Sequence, residues 1–145
     1  AIILGMGETT FEGQGPMWLE AMARDPVHFP QLQVRPGAEG QLQLDWAPLV
    51  DWLLRKPATG PADRAGAVHS SLADGIVQVA ERLRAQSGTS LVGLTGGVFQ
   101  NRRLTETALS GLAARNFEVL LPRQLPCNDG GLSYGQVADF IGGSE

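Results

Sequence analysis

The strongest constraint on this chain is a helical period. Between Ala65 and Ala85, apolar residues recur at Ala65, Val68, Leu72, Ile76, Val79, Ala80 and Leu83, the spacing that lines one face of an α-helix. Gln86-Ser87-Gly88 ends that run. Short apolar segments then alternate with helical ones. Ser90-Leu91-Val92-Gly93-Leu94 reads as a buried strand, Asn101 to Arg115 as a helix with Leu104, Ala108, Leu109 and Leu112 on one side, Glu118–Leu121 as a second strand, and Leu132–Ile141 as a last helix. A helix–strand–helix–strand–helix order with short turns predicts an α/β layered fold with parallel pairing.

The N-terminal part is less regular. Ala1–Leu4 is a helix tail closed by Gly5 or a strand, Gly7–Gly13 is a polar loop, and Pro16 opens a helix that stops before Pro26. Val27–Gly40 is loop with one extended piece, Leu32-Gln33-Val34. Gly40 to Trp46 alternates polar and apolar residues as a half-buried strand does, and Asp45 can cap a short helix over 46–54. Residues 56–63, Lys-Pro-Ala-Thr-Gly-Pro-Ala-Asp, are linker-like. No internal repeat is present.

Two glycine corners follow the two strands. Thr95-Gly96-Gly97 joins a strand to a helix start, a geometry that offers backbone N–H groups and a helix N-terminus to a phosphate, or simply makes a tight turn. It matches neither GxGxxG nor a Walker A loop. Pro126-Cys127-Asn128-Asp129-Gly130-Gly131 is the second corner. Asp129 there is either a hard ligand for a divalent cation or hydroxyl, or part of an Asx turn or N-cap set up by Asn-Asp-Gly. In an α/β sheet both corners lie at the carboxyl edge of the strands, where ligands bind. Glu12-Gly13-Gln14 sets a carboxylate and an amide before a helix, able to meet a ribose or to stand as exposed loop.

Charge and composition remove other classes. With 11 basic and 15 acidic residues the formal net charge is −4, and neither a basic stripe nor interleaved aromatics points to nucleic acid. One cysteine, Cys127, leaves no disulfide framework and fits a reducing compartment; it reads as a small apolar residue. No apolar run is long enough to span a bilayer, and the N-terminus lacks the basic region of a secretory signal. A start on an apolar run without Met is expected of a chain cut from something longer. His28 and His69 have no metal-ligand spacing, and His69 reads as a packed helix residue. Trp18, Trp46 and Trp52 read as core or domain contacts.

Taken together, TGGVFQNRRLTE and EVLLPRQLPCNDGGLSYGQ resemble the C-terminal end of the HypF family of carbamoyltransferases, which mature nickel–iron hydrogenases. FEGQGPMWLEAMA resembles that family's SYEGQAAxxLE segment, and AGAVHSSLADGIVQVA its FHxxLA helix. The similarity runs from about Thr10 to Ala138, and extends more distantly to Kae1-type proteins and other carbamoyltransferases. The resemblance implies an actin-like ATPase (ASKHA, Kae1-like) fold, of which residues 1–145 are the distal, C-terminal lobe. It implies carbamoyl phosphate and ATP as substrates: a YrdC-like domain makes carbamoyl-adenylate, and the Kae1-like domain passes the carbamoyl group to the C-terminal cysteine of a HypE-like acceptor. On this chain it implies nucleotide contacts at Gly96, Gly97, Asn101 and Glu12, a metal ligand at Asp129, and a loop shaped by Asn128, Gly130 and Gly131. Iron or zinc would occupy the complete domain, with magnesium on ATP; the setting would be cytoplasmic.

Departures accompany the likeness. The family's HxxxH metal histidines, the YrdC-like domain and the other lobe do not occur in this chain, so it carries no catalytic nucleophile of its own and is expected to be inactive alone. Thr95 replaces the Ser of an SGG corner, and Cys127 stands where proline or another small residue is expected. Two other readings remain: the nucleotide-binding ASKHA lobe of a different transferase or kinase, and a non-catalytic domain that binds a partner.

Overall fold

The computed structural model describes residues 1–143 apart from Val27, Glu39, Lys56 and Pro57. Its spine is a 27-residue helix, α3, Pro61–Ser87, with the chain wrapped on both sides of it. Ahead of it come α1 (Gln14–Met22), β1 (Gln33–Pro36), β2 (Leu42–Asp45) and α2 (Ala47–Arg55); after it come β3 (Leu91–Gly93), α4 (Arg102–Ala113), β4 (Glu118–Leu120) and α5 (Leu132–Gly142). Three single-turn 3-10 segments, Ile2–Leu4, Gly97–Gln100 and Asp129–Gly131, fill the corners.

β1 and β2 form an antiparallel hairpin, with Val34 opposite Leu44. β3 and β4 form a parallel pair, with Val92 opposite Val119 and α4 as the crossover between them. The hairpin register places Leu44 on α3, so the expected 40–46 strand shortens to its paired central residues. Asp45 Oδ1 accepts from the Ala47 N–H at 3.0 Å, capping α2 as its sequence position suggests. Ala1–Leu4 resolves to one 3-10 turn closed by Gly5 at φ 97°. Lys56 and Pro57 of the linker-like stretch lie outside the described residues, and α3 is already helical from Pro61.

Two hydrophobic clusters share α3. One joins Ala73, Val77 and Ala80 to Leu94, Leu104, Ala108, Leu112 and Phe117. The other joins Ala65 to Leu4, Leu32, Leu49 and Leu53, with Trp18 and Trp52 packed against it, while Trp46 is half exposed. The expected bulky stripe of α3 is only part of the story. Its most buried residues include Ala65, Gly66, Ala67, Ala73 and Gly75, because neighbours approach from several sides and only small side chains leave them room. At Gly66 a Cβ would collide with the Arg24 carbonyl oxygen, whose own N–H donates to the Ala62 carbonyl at 3.0 Å. Gly88 ends α3 in the left-handed region at φ 76°, as expected of a C-cap glycine.

Two surfaces stay open. No residue of α5 is buried, and Leu132, Tyr134, Val137 and Ile141 are exposed along it. The edge of β3 turned away from β4 lines an apolar cleft of about 440 Å³ with Leu44, Ile76 and Leu83. Among the described residues no helix is long and apolar enough to cross a membrane.

Leu112 is fully buried between α3 and β4, whereas Leu54 on α2 is 64% exposed. Leu112→Ala is expected to lower the free energy of unfolding by about 2–5 kcal/mol, and Leu54→Ala by no more than about 0.5 kcal/mol. Urea denaturation of the two variants checks this.

Candidate functional site

Parallel pairing carries the ends of β3 and β4 to one edge, and there the two glycine corners meet. The Gly96 N–H donates to the Cys127 carbonyl at 2.6 Å, so each corner holds the other in place. Thr95, Gly96, Asn128, Asp129 and Gly131 line an open cleft of about 590 Å³, with Gln136 and Asp139 of α5 on its far wall. Glu12 is not among its lining residues; it sits exposed in the loop before α1. Of the candidates read from sequence, Gly96, Asn128, Asp129 and Gly131 line this cleft, while Gly97, Asn101, Gly130 and Glu12 are not among its lining residues.

The first corner depends on backbone conformation. Gly96 has φ 106° and ψ 154°, a region essentially closed to residues with a side chain. It turns the chain into the 3-10 segment Gly97–Gln100, in which Phe99 N–H bonds to the Gly96 carbonyl at 3.0 Å. Among the described residues the Gly97 and Val98 N–H groups have no hydrogen-bond acceptor, and both residues are exposed. These two are the backbone donors that the first corner has on offer.

Two N–H groups in the first turn of α4 already have side-chain acceptors. The Leu104 N–H donates to Asn101 Oδ1 at 2.9 Å, and the Arg103 N–H to Glu20 Oε1 at 3.0 Å. Asn101 is therefore the N-cap and not the first helical residue, and Glu20 of α1 supplies the negative charge that a helix start favours. Arg103 ties the same elements together from its side chain, with Nη1 at 2.7 Å from Asp25 and Nη2 donating to the Ala23 carbonyl at 3.0 Å.

Beneath Asn101 lies His69, only 4% exposed. Its Nδ1 is 2.7 Å from the Ala65 carbonyl and its Nε2 is 2.9 Å from Asn101 Nδ2. A carbonyl oxygen can only accept, so the proton sits on Nδ1 and Nε2 accepts from the amide. Burial pushes the imidazole pKa below its ordinary value; the Ala65 carbonyl pulls the other way and Arg103 adds a smaller downward push. The expectation of a packed helix histidine holds, but its link to Asn101, 32 residues on, leaves no trace in sequence spacing.

The second corner is an Asx turn. Asn128 Oδ1 accepts from the Gly130 N–H at 3.1 Å, and the Gly131 N–H donates to the Asn128 carbonyl at 2.9 Å. Gly131 passes so close to Pro126 that a Cβ would lie 2.7 Å from its carbonyl oxygen. The Asp129 carboxylate is exposed at the cleft. Among the described residues no three His, Cys, Asp or Glu side chains cluster as a metal site would require. Cys127 is half-buried at the cleft rather than enclosed in a core. Gln136 and Asp139 went unnoticed in sequence, because only the apolar residues of α5 carry a periodic signal.

Comparison with known proteins places this arrangement. Residues 1–136 match the family model described as carbamoyltransferase, Kae1-like domain, second subdomain. The chain is 36% identical over 128 residues to the carbamoyltransferase HypF of Rhizobium leguminosarum bv. viciae, covering 88% of this chain and 16% of that protein. It is 34% identical over 140 residues to the HypF of Synechocystis sp., covering 94% of this chain and 18% of that one. A crystal structure of full-length HypF in a phosphate- and nucleotide-bound form superposes with a TM-score of 0.83 at 26% identity, over 97% of this chain and 19% of that chain. HypF of T. kodakarensis superposes with a TM-score of 0.74 at 27% identity, over 95% of this chain and 18% of that one. The chain thus spans less than a fifth of the length of each of these relatives.

Two outcomes follow from this geometry. Gly96→Ala is expected to cost about 1–3 kcal/mol of stability from its backbone conformation alone, while Gly97→Ala, whose Cβ meets nothing closer than Asn128 Cβ at 3.8 Å, is nearly neutral in urea denaturation. His69 releases its proton more readily when folded than unfolded, so the unfolded state binds more protons and stability rises with pH. The contribution is complete above the unfolded histidine pKa of about 6.5 and is lost as pH falls through it toward the folded value. The urea midpoint is expected to drop between about pH 7.5 and 5.5, with a smaller drop in His69→Gln, which has no proton to gain.

Proposed function

We propose, from the premise that this chain belongs to the HypF carbamoyltransferase family as its Kae1-like second subdomain, that it supplies one wall of a nucleotide site for carbamoyl transfer. The supporting observation is the junction of the two corners: the Gly96–Cys127 hydrogen bond joins them, Gly97 lies next to Asn128 of the Asp129 loop, and the Gly97 and Val98 N–H groups have no acceptor among the described residues.

In this reading the Gly97 and Val98 N–H groups take phosphate oxygens of ATP or carbamoyl-adenylate, with Gly96 shaping the turn and Asn101 beside it. Preorganised backbone donors of this kind favour charge developing on oxygen without reorganising. Asn128, Gly130 and Gly131 hold Asp129 at the rim, where it contributes one hard oxygen ligand to an iron or zinc whose other ligands come from outside these residues. Magnesium accompanies the ATP. Glu12 reaches a ribose only if the loop before α1 closes over the cleft.

Carbamoyl transfer from the adenylate to the terminal cysteine of a HypE-like acceptor, with AMP as the leaving group, asks for orientation and charge stabilisation rather than a nucleophile from this chain. Carbamoyl phosphate would be the carbamoyl source and a YrdC-like domain the site of adenylate formation, in the cytoplasm. The chain works there as the C-terminal lobe, residues 1–145, and is inactive alone. The exposed apolar α5 and the open edge of β3 favour docking onto the companion lobe.

Calorimetric titration of ATP with Mg²⁺ into this chain tests the reading. Gly97→Val adds a branched side chain at the free donors, where a Cβ meets nothing closer than Asn128 Cβ at 3.8 Å, and is expected to weaken binding by at least about tenfold, the loss of one or two charge-assisted hydrogen bonds. Asp129→Ala is expected to leave the affinity within about threefold. Equal affinity in the wild type and Gly97→Val would overturn the assignment of phosphate to this corner, and no binding to the wild type would remove nucleotide recognition by the isolated lobe.

A further inference from the structure

We infer that His69 is the positioning residue of the glycine corner: its unprotonated Nε2 holds the Asn101 amide the one way round that caps α4, and so keeps the turn over residues 96–101 in the form that frees the Gly97 and Val98 N–H groups. The inference rests on the nucleotide reading for its purpose and on the hydrogen-bond network for its substance.

The network has a single consistent sense. His69 Nδ1–H donates to the Ala65 carbonyl at 2.7 Å, Nε2 accepts from Asn101 Nδ2 at 2.9 Å, and Asn101 Oδ1 accepts from the Leu104 N–H at 2.9 Å. Asn101 is also where the corner is fastened. Its N–H closes the 3-10 turn on the Val98 carbonyl at 3.2 Å. Its carbonyl and that of Phe99 both accept from Thr105 Oγ1 at 2.9 Å. One residue thus joins the buried imidazole on α3 and the cap of α4 through its side chain, and the end of the turn that presents the donors through its backbone.

Reversing the amide breaks the chain of bonds. Turned over, Asn101 would set its NH₂ against the Leu104 N–H, two donors facing each other, and the cap would be lost. Nε2 as an acceptor is what forbids the reversal. A protonated His69 is a donor at both nitrogens and would demand it. The charged groups that act on the imidazole come from two packed elements: Arg103 of α4 opposes protonation and Glu20 of α1 favours it, while Ala65 on α3 presents a carbonyl. Glu20 is itself engaged by the Arg103 N–H at 3.0 Å, so the same two residues frame the cap from outside.

The test uses this chain and three readouts. Long-range ¹⁵N–¹H spectra of the imidazole report its tautomer directly; the Nδ1–H form is expected at neutral pH, and the Nε2–H form would overturn the inference. Asn101→Asp keeps an oxygen for the α4 cap but replaces the donor facing Nε2 with an acceptor. It is expected to raise the His69 pKa above that of the wild type, and an unchanged or lower pKa counts against the contact. His69→Phe removes the acceptor, and is expected to displace the amide resonances of Gly97, Val98 and Leu104 and to weaken Mg²⁺-ATP binding about tenfold. His69→Gln, which can present an oxygen to Asn101, should restore both in large part. Unmoved amide resonances in His69→Phe would refute positioning, and should that variant not fold, the tautomer and Asn101→Asp arms still decide. If the wild type binds no nucleotide, recognition by the isolated lobe fails, and the imidazole and amide spectra still settle whether His69 sets the corner.

Discussion

The burial of α3 from two directions is the interaction on which the rest of the structure depends. At 27 residues it is roughly 40 Å long, and neither cluster of apolar side chains is closed without it. Ala65 belongs to the cluster with α2 and the N-terminal turn, while Ala73, Val77 and Ala80 belong to the cluster with α4, β3 and β4. The hairpin and the βαβ unit share no strand pairing; a common helix is what makes them one body. The small residues of α3 permit this because each approach, such as that of Arg24 at Gly66 or of Val77 to Gly111 on α4, leaves no space for another side chain.

That constraint reaches the candidate site through one buried side chain. α3 carries His69 against Asn101, Asn101 caps α4, and the turn ending at Asn101 carries Gly96 and Gly97. From the other side, parallel pairing brings the loop after β4 close enough for Cys127 to accept from Gly96. The corner is therefore held by a helix below it and a loop beside it, which is how a flexible glycine pair acquires a defined shape. Neighbours take several of the donors around it: Asn101 and Glu20 accept from the Leu104 and Arg103 N–H groups of α4, and Cys127 accepts from that of Gly96.

Several of these features were legible in the residues. Asp45 capping α2, Gly88 ending α3 and the Asx turn at Asn128 are local matters, in which a side chain or a glycine acts on backbone within four residues. The order of strands and helices after Gly88 was readable for the same reason: periodicity is local, and short turns leave parallel pairing as the compact solution. The partner of the Arg103 N–H was not legible, because the carboxylate that takes it lies 83 residues earlier in the chain. Glu12-Gly13-Gln14 allows a ribose contact or an exposed loop, and Glu12 is exposed and does not line the cleft, a placement that no pattern within the loop encodes.

By itself, then, the sequence determined the element types, the two glycine corners and the family, since these follow from patterns and motifs within a few tens of residues. Only the tertiary structure decided which backbone donors are free, that Glu20 takes the Arg103 N–H, and that His69 and Asn101 are partners. Those outcomes depend on hydrogen bonds between groups far apart in the chain, and a buried donor or acceptor takes whichever partner the packing brings within reach.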